Sequence, residues 1–328
     1  MEALFASREK PMIRESRMSR ERIYFHRFSW ALLVYCLVII LWGAFVRISG
    51  SGDGCGDYWP LCHGQWIPSE ALANQIQTWI ELFHRLKSGL FGVIVLISLL
   101  WAFRFRSKAP RLWKASFAVF VLTTIEALIG AGLVLFGWVG EDDSLARMIA
   151  MSLHLGNTLF LVAALTAQVY FSARTDFQFR RLRKEAWILG GLLIATAITG
   201  AWAALSSTLY PSESLLGGLL SDFSSDSPWI LRLRILHPVL AIVGIPLFLK
   251  YFASLPSKGK EASFCFIAYW LHLGFGFLTL LLLAPVWMKL SHLFLANAFW
   301  ISFIWLVFCE SFLRTESSEP PQRTSHLS

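Results

Sequence analysis

Charge is what this 328-residue chain has least of. Asp, Glu, Lys and Arg together make up 15% of it, against about 25% in an ordinary soluble domain. So little charge excludes a conventional soluble globular enzyme. A hydrophobic content of 56% excludes disorder, and the composition fits neither a disulfide-rich secreted module nor a coiled coil. Zinc-finger spacing and a basic groove pattern are both missing, so the net charge of +8 does not point to nucleic acid. Short alternating segments are missing too, which argues against an outer-membrane barrel.

What the chain does have is long apolar runs. Eight can be marked, at roughly 28–46, 80–103, 115–138, 149–171, 187–206, 231–252, 264–285 and 291–310. Eight spans of about 20 residues need about 160 residues, which accommodates the apolar content. A helix satisfies the backbone of each run inside a bilayer. The expected fold is therefore an all-α integral membrane protein with eight transmembrane helices.

The basic residues alternate with these runs. They cluster in the N-terminal arm (Arg8 to Arg27), in 104–114, in 174–184, at Lys250, Lys258 and Lys260, and in the tail at Arg314 and Arg323. With eight spans all five regions lie on one side, which the positive-inside rule makes the cytoplasm. Both termini are then cytoplasmic. The opposite loops carry Asp53, Asp57, Glu70, Glu141, Asp142, Asp143, Glu213, Asp222 and Asp226. The arm has the charge of a signal peptide's start, but the following run is too long and no small-residue cleavage site is evident.

Four of the eight histidines, His84, His154, His237 and His292, sit within a turn or two of the outer end of an even-numbered span. Even spans all run inward, so the four imidazoles should share one level. Ionisable groups in a span are costly and mark function, and two histidines from facing helices can hold a haem iron from both sides. The bland reading is a histidine that hydrogen-bonds locally near a helix end. Gly89, Gly92, Gly244 and Ala296 lie near these histidines and offer room for a flat macrocycle, or simply for helix packing. The nearby cations Arg85, Lys87, Arg147, Arg234 and Lys289 suit haem propionates or lipid phosphates. His272 begins nearer the cytoplasmic side.

Glu81 lies one turn before His84 and shares its face. It is expected to transfer protons, stabilise a cationic intermediate, or orient a side chain. Glu126, in the third span, is read as a satisfied structural carboxylate. Cys36, Cys265 and Cys309 are packing residues. Cys55 and Cys62 stand together in GSGDGCGDYWPLCHG, in a loop facing the oxidising side. They suit a disulfide closing a small ring, or a pair of redox thiols. The c-type attachment pattern Cys-x-x-Cys-His does not occur. A later loop, TLYPSESLLGGLLSDFSSDSPW, is long enough for a lid or interfacial segment.

The histidine placement repeats in the two halves of the chain. This suggests fused four-helix bundles related by an axis along the membrane normal. The expected units are an arm (1–27), an N-terminal bundle (28–171), a linker (172–186), a C-terminal bundle (187–310) and a tail (311–328).

Over about 24–310 the sequence resembles the haem A synthase family. The matching motifs are FVRISGSGDGCGDYWPLCHGQWIP, IELFHR, MSLHLGNTLF, RILHPVLA and SHLFLANAFW, in that order. The resemblance implies oxidation of the C8 methyl of haem O to a formyl group through hydroxylated intermediates, with water as oxygen source. The product is haem A for respiratory oxidases. It also implies that His237 and His292 ligate a resident haem b, while His84 and His154 serve the substrate haem with Arg85 and Lys87 beside it. Glu81 matches the family's essential carboxylate, and Cys55 and Cys62 its outer-loop pair. His63, Glu126 and His272 have no familiar role. A bacterial inner-membrane location follows, with the first loop on the periplasmic side. Haem O synthase and the oxidase assembly pathway are the implied partners, alongside membrane lipid and an unnamed electron acceptor. A homo-oligomer is left open. The alternative function is a dihaem, cytochrome b-like electron carrier.

Overall fold

The computed structural model describes residues 20–69, 75–174, 177–179 and 181–314. The basic residues before Arg20, and Glu70, Arg180, Arg323 and His326, fall outside them. Among the described residues, eight helices are long and apolar enough to cross a membrane. The first four spans are α1 (Arg20–Ile48), α2 (Ile76–Phe103), α3 (Pro110–Leu135) and α4 (Leu145–Ala173). After a short strand β1 (Phe177–Phe179) comes the fifth, α5 (Lys184–Leu209). A nine-residue helix α6 (Leu215–Phe223) occupies the long loop that follows. The sixth span, Trp229–Ala253, consists of a single turn α7 (Trp229–Arg232) and α8 (Leu236–Ala253). The last two spans are α9 (Lys260–Leu281) and α10 (Val286–Ser311), and β2 (Phe312–Arg314) closes the described chain.

The helices run past the apolar stretches read from sequence because charged residues extend them. α1 starts at Arg20, so the last part of the expected arm is helical. The seventh span stops at Leu281 rather than 285. Leu283 and Ala284 take positive φ values of 59° and 53°, which breaks the helix, and Pro285 then caps α10. The expected linker and tail are not merely connecting segments: β1 and β2 pair antiparallel, with Gln178 opposite Leu313.

Polar side chains fasten the spans where lipid offers no hydrophobic drive for helix association. The Gln168 amide, buried in α4, donates to the hydroxyls of Ser29 in α1 and Ser98 in α2, each at 3.1 Å. Trp42 Nε1 donates to the Ile80 carbonyl at 2.9 Å, and the Tyr35 hydroxyl to that of Lys87 at 3.0 Å, joining α1 to α2. Arg22 donates to the carbonyls of Phe171 and Ser172, satisfying groups that the end of α4 leaves free. One apolar core runs through all of this, from Leu33, Phe91 and Val162 to Phe248, Tyr251 and Phe299.

Early and late spans meet through tryptophans. Trp300 Nε1 of α10 donates to the Leu159 carbonyl of α4 at 2.9 Å, and Trp202 Nε1 of α5 to Ser152 Oγ of α4 at 2.8 Å. Trp300 is buried in the core it crosses. Trp300→Ala is expected to lower unfolding stability by about 3–5 kcal/mol through the cavity it leaves. Trp300→Phe, which keeps the packing and loses the bond, should cost about 1 kcal/mol. Thermal unfolding in detergent measures both.

Candidate functional site

The four histidines stand at similar distances from the starts of their spans. His84, His154, His237 and His292 lie eight, nine, eight and six residues in from the start of the second, fourth, sixth and eighth spans. At about 1.5 Å per residue these offsets differ by about 5 Å at most. All four spans start at the end of the bundle that carries the Cys55–Cys62 loop, called here the disulfide end.

Each imidazole rests on a glycine of the preceding span. A Cβ built on Gly43 would come within 2.9 Å of His84 Cε1, and one on Gly200 within 2.9 Å of His237 Cε1. On Gly276 it would lie 2.8 Å from His292 Cε1, and on Gly130, 3.8 Å from His154 Cε1. At three of these positions a side chain would have to push the imidazole aside. Gly89 and Gly92, singled out from sequence, border open space, while Gly244 packs on Leu192 and Tyr269. The glycines that touch the imidazoles were missed. Their signal is a Gly in each odd span, five, five, nine and five residues before the helix's last residue, followed by Ala in three of the four.

The separation of His237 and His292 is compatible in length with a shared metal. Their ring centroids are 6.2 Å apart. A metal–nitrogen bond of about 2 Å on each side, plus about 1 Å from each nitrogen to its ring centre, requires about 6 Å. His237 Nδ1 donates to the Thr196 carbonyl at 2.9 Å, which fixes the ring and leaves Nε2 as the nitrogen that could hold a metal. The buried Nδ1 atoms of His84, His154 and His292 have no hydrogen-bond partner. Narrow glycine-lined cradles around nitrogen-bearing rings fit an iron porphyrin held from the imidazole side. His272 departs from its expected level: its ring stacks on His292 at 4.3 Å, because α9 ends early and carries it toward the disulfide end.

Cys55 and Cys62 form a disulfide, and both are fully buried. The ring it closes is pinned to α2. Cys55 N–H donates to Glu81 Oε2 at 2.8 Å. Arg85 forms a buried ion pair with Glu81 and donates to the carbonyls of Leu61, at 2.5 Å, and Tyr58. Thr78 Oγ1 donates to the Gly54 carbonyl at 2.8 Å, and His63 Nε2 lies 2.9 Å from the same oxygen. Gly54 passes so near α2 that a Cβ would sit 2.5 Å from the Gln77 carbonyl oxygen. Only glycine fits there. Glu81 thus joins the disulfide ring to the helix face that carries His84.

The cations beside the histidines are loop anchors for the most part. Arg147 donates to the carbonyls of Gly140, at 2.8 Å, and Asp142. Arg234 binds Asp222 at 2.6 Å and the Gly218 carbonyl at 2.9 Å, holding α6 against the sixth span. Lys87, one turn deeper than His84, places its ammonium 3.5 Å from the Trp42 ring centre. Two cations at the disulfide end are less engaged. Arg47 Nε is buried without a partner, and Lys289 reaches the Thr208 hydroxyl at 3.3 Å. Glu126 is satisfied, as expected: Asn157 Nδ2 donates to it at 2.6 Å and Thr158 Oγ1 donates as well.

Residues 26–304 match a family model, COX15-CtaA, described as cytochrome oxidase assembly protein. The chain is similar to a protoheme IX farnesyltransferase of Thermus thermophilus, 37% identical over 293 residues, 85% of this chain and 47% of that protein. It is similar to a heme A synthase of Geobacillus kaustophilus, 38% identical over 137 residues, 42% of this chain and 40% of that protein. A heme A synthase of an Exiguobacterium species is 30% identical over 177 residues, 53% of this chain and 56% of that protein. The chain spans about half the length of the curated relatives it matches.

The Glu81–Arg85 pair is buried, with side-chain exposures of 4% and 8%. Removing the cation leaves an uncompensated carboxylate, a change that costs about 3–5 kcal/mol. Arg85→Leu should therefore lower the unfolding temperature and open the loop to proteolysis near Tyr58, even with the disulfide intact.

Proposed function

The chain belongs to the COX15-CtaA family of cytochrome oxidase assembly proteins, and from that membership we propose that it is a haem A synthase. It would oxidise the C8 methyl of haem O to the formyl group of haem A, through hydroxylated intermediates. The observation that carries this reading is the set of four imidazoles, each seated on a glycine of the preceding span. An ordinary packing histidine does not require a glycine opposite it; a ring that must lie edge-on beside a macrocycle does.

We assign the roles by half. Residues 187–310 are the bundle of the resident haem b, with His237 and His292 as its ligands. Bound there, the haem supplies one-electron redox chemistry. Residues 28–171 take the substrate haem between His84 and His154. The arm 1–27, linker 172–186 and tail 311–328 are the cytoplasmic parts, and the two bundles are related by an axis along the membrane normal. We take the disulfide end as the outer face of a bacterial inner membrane, a reading that the distribution of basic residues supports.

The substrate is apolar enough to enter from the bilayer, while its propionates need cations. Arg85 is committed to the loop and the Lys87 ammonium to the Trp42 ring. Arg47 and Lys289 stand one turn outward from Gly43 and His292 and are better placed to meet carboxylates. Glu81 carries the catalytic role. Removing hydride equivalents from the methyl group leaves electron-poor carbon, which a fixed anion stabilises in a water-poor site. The same carboxylate can take a proton from the incoming water. Its hydrogen bond to Cys55 holds it still.

The T. thermophilus relative bears the name of a farnesyltransferase acting on protoheme IX, and this chain aligns with only 47% of it. That pairing supports a working association with the enzyme that makes haem O. Cytochrome oxidase assembly is the natural destination of the product, and the electron acceptor is a further partner.

Expression with a supply of haem O, followed by extraction and chromatography of haems, tests the proposal. Wild-type protein should yield the alcohol and the aldehyde. Making neither, with a competent electron acceptor present, overturns the assignment and leaves a dihaem electron carrier. Glu81→Gln keeps the size and removes the charge, so haem should be retained while haem A formation falls at least 100-fold, in the range expected for a lost electrostatic or proton-transfer group. Gly200→Val and Gly276→Val should displace His237 and His292 and remove the low-spin haem b spectrum without touching a ligand.

A further inference from the structure

The residue four positions before each cradle glycine stands one helical turn deeper on the same face. For Gly43, Gly130, Gly200 and Gly276 these residues are Ile39, Glu126, Thr196 and His272. Three of the four act on the imidazole that their glycine seats. The Thr196 carbonyl accepts from His237, the His272 ring stacks on His292, and Glu126 Oε1 lies 3.5 Å from His154 Nδ1. The position is a place from which one helix can tune the histidine of the next, and its occupant differs every time.

Glu126 is the only carboxylate among these four. Its carboxylate is oriented by groups of α4 itself. Asn157 Nδ2 donates to Oε2 and also to the Leu122 carbonyl, at 2.9 Å, while Thr158 Oγ1 donates to Oε1. Asn157 and Thr158 are three and four residues after His154, on the same helix face. The clasp therefore moves with the histidine and keeps Oε1 beside Nδ1. That nitrogen has no other partner among the described residues, and the 3.5 Å contact sets the carboxylate directly beside it.

We propose that Glu126 is a positioning and tuning residue for His154, giving the substrate-haem site an anionic partner that the resident-haem site lacks. This rests on the haem A synthase reading above. An imidazole that donates Nδ1–H to a carboxylate is a more basic ligand than one that donates to a carbonyl. More electron donation, with a negative charge nearby in a poorly screened setting, stabilises ferric over ferrous iron. His237 Nδ1 donates to the Thr196 carbonyl instead. The two sites then differ in potential although all four ligands are histidine, with the N-terminal site the harder to reduce. The couple concerned is the one-electron ferric/ferrous equilibrium of bound iron, and it is independent of turnover.

Potentiometric titration of the full-length protein tests this. The protein is loaded with haem O and followed by visible absorption, with a chemical reductant supplying the electron. Glu126→Gln should raise the midpoint potential of the haem held by His154 and leave the other component in place, with haem content reduced less than twofold. Glu126→Asp keeps the charge but withdraws it by one methylene, so it should fall between the two; should the Gln variant not fold, a potential above wild type in the Asp variant carries the same conclusion. Glu310→Gln, a distant carboxylate that accepts from Tyr251 at 3.1 Å, should change neither component. Unchanged potentials in both Glu126 variants, in protein that loads and converts haem O, overturn this inference alone. Wild-type protein that takes up no haem dependent on His154 overturns the haem A synthase reading and this inference with it.

Discussion

The close approach of a helix backbone to an imidazole governs most of this structure. An imidazole cannot lie between two helices at ordinary spacing unless one of them gives up its side chain at that point. Gly43, Gly200 and Gly276 do so outright, since a Cβ at any of them would stand 2.8–2.9 Å from a ring carbon. Gly130 leaves its histidine slightly more room. Once each odd span is tied to the next even span at a glycine, the relative height of the pair is set. The loops between them, the level of the histidines and the place left for a planar ligand follow from that.

The loops at the disulfide end solve a related problem. They must cover apolar space while their own polar groups stay satisfied. Each of three loops is held by an arginine of an even span. Arg85 binds Glu81 and two loop carbonyls, Arg147 binds two loop carbonyls, and Arg234 binds Asp222 and a carbonyl of α6. A guanidinium, with five donors in one plane, can do this where a lysine cannot. The sequence showed these cations beside the histidines and left their role between propionates and lipid phosphates. Both options overlooked the protein's own carbonyls, which no residue pattern reveals.

The eight spans were legible from hydropathy and charge alone, because a bilayer permits few ways to satisfy a buried backbone. Their ends were less so. α1 begins at Arg20, well inside the basic arm, and α9 ends at Leu281 through a backbone break at Leu283 and Ala284. The common depth of His84, His154, His237 and His292 could be counted from the chain, and so could the pairing of Cys55 with Cys62 as a candidate. The glycine partners could not, since helix contact is a tertiary property. His272 and Glu126 were set aside as residues without a role because their neighbours, His292 and His154, lie 20 and 28 positions away. Both occupy one repeated position, which becomes visible only after the cradle glycines are known.

Similar cradles with different surroundings are how one architecture can hold two haems for two purposes. The proposed N-terminal site has a covalently closed loop above it, with Glu81 fastened to the Cys55 backbone, and a carboxylate behind His154. The proposed C-terminal site has a carbonyl behind His237 and a stacked ring beside His292. Its covering segment is α6, whose exposed Leu216, Leu220 and Phe223 face outward rather than being stapled by a disulfide. A substrate must enter, react and leave, so its site needs fixed charge to act on the changing molecule and a cover anchored firmly enough to keep that charge in place. A resident cofactor needs only ligands and insulation. The asymmetry therefore runs in the direction that chemistry demands: Glu81, Glu126 and a covalent staple gather at the half assigned to turnover, while a carbonyl and a stacked ring attend the histidines of the half assigned to the resident cofactor.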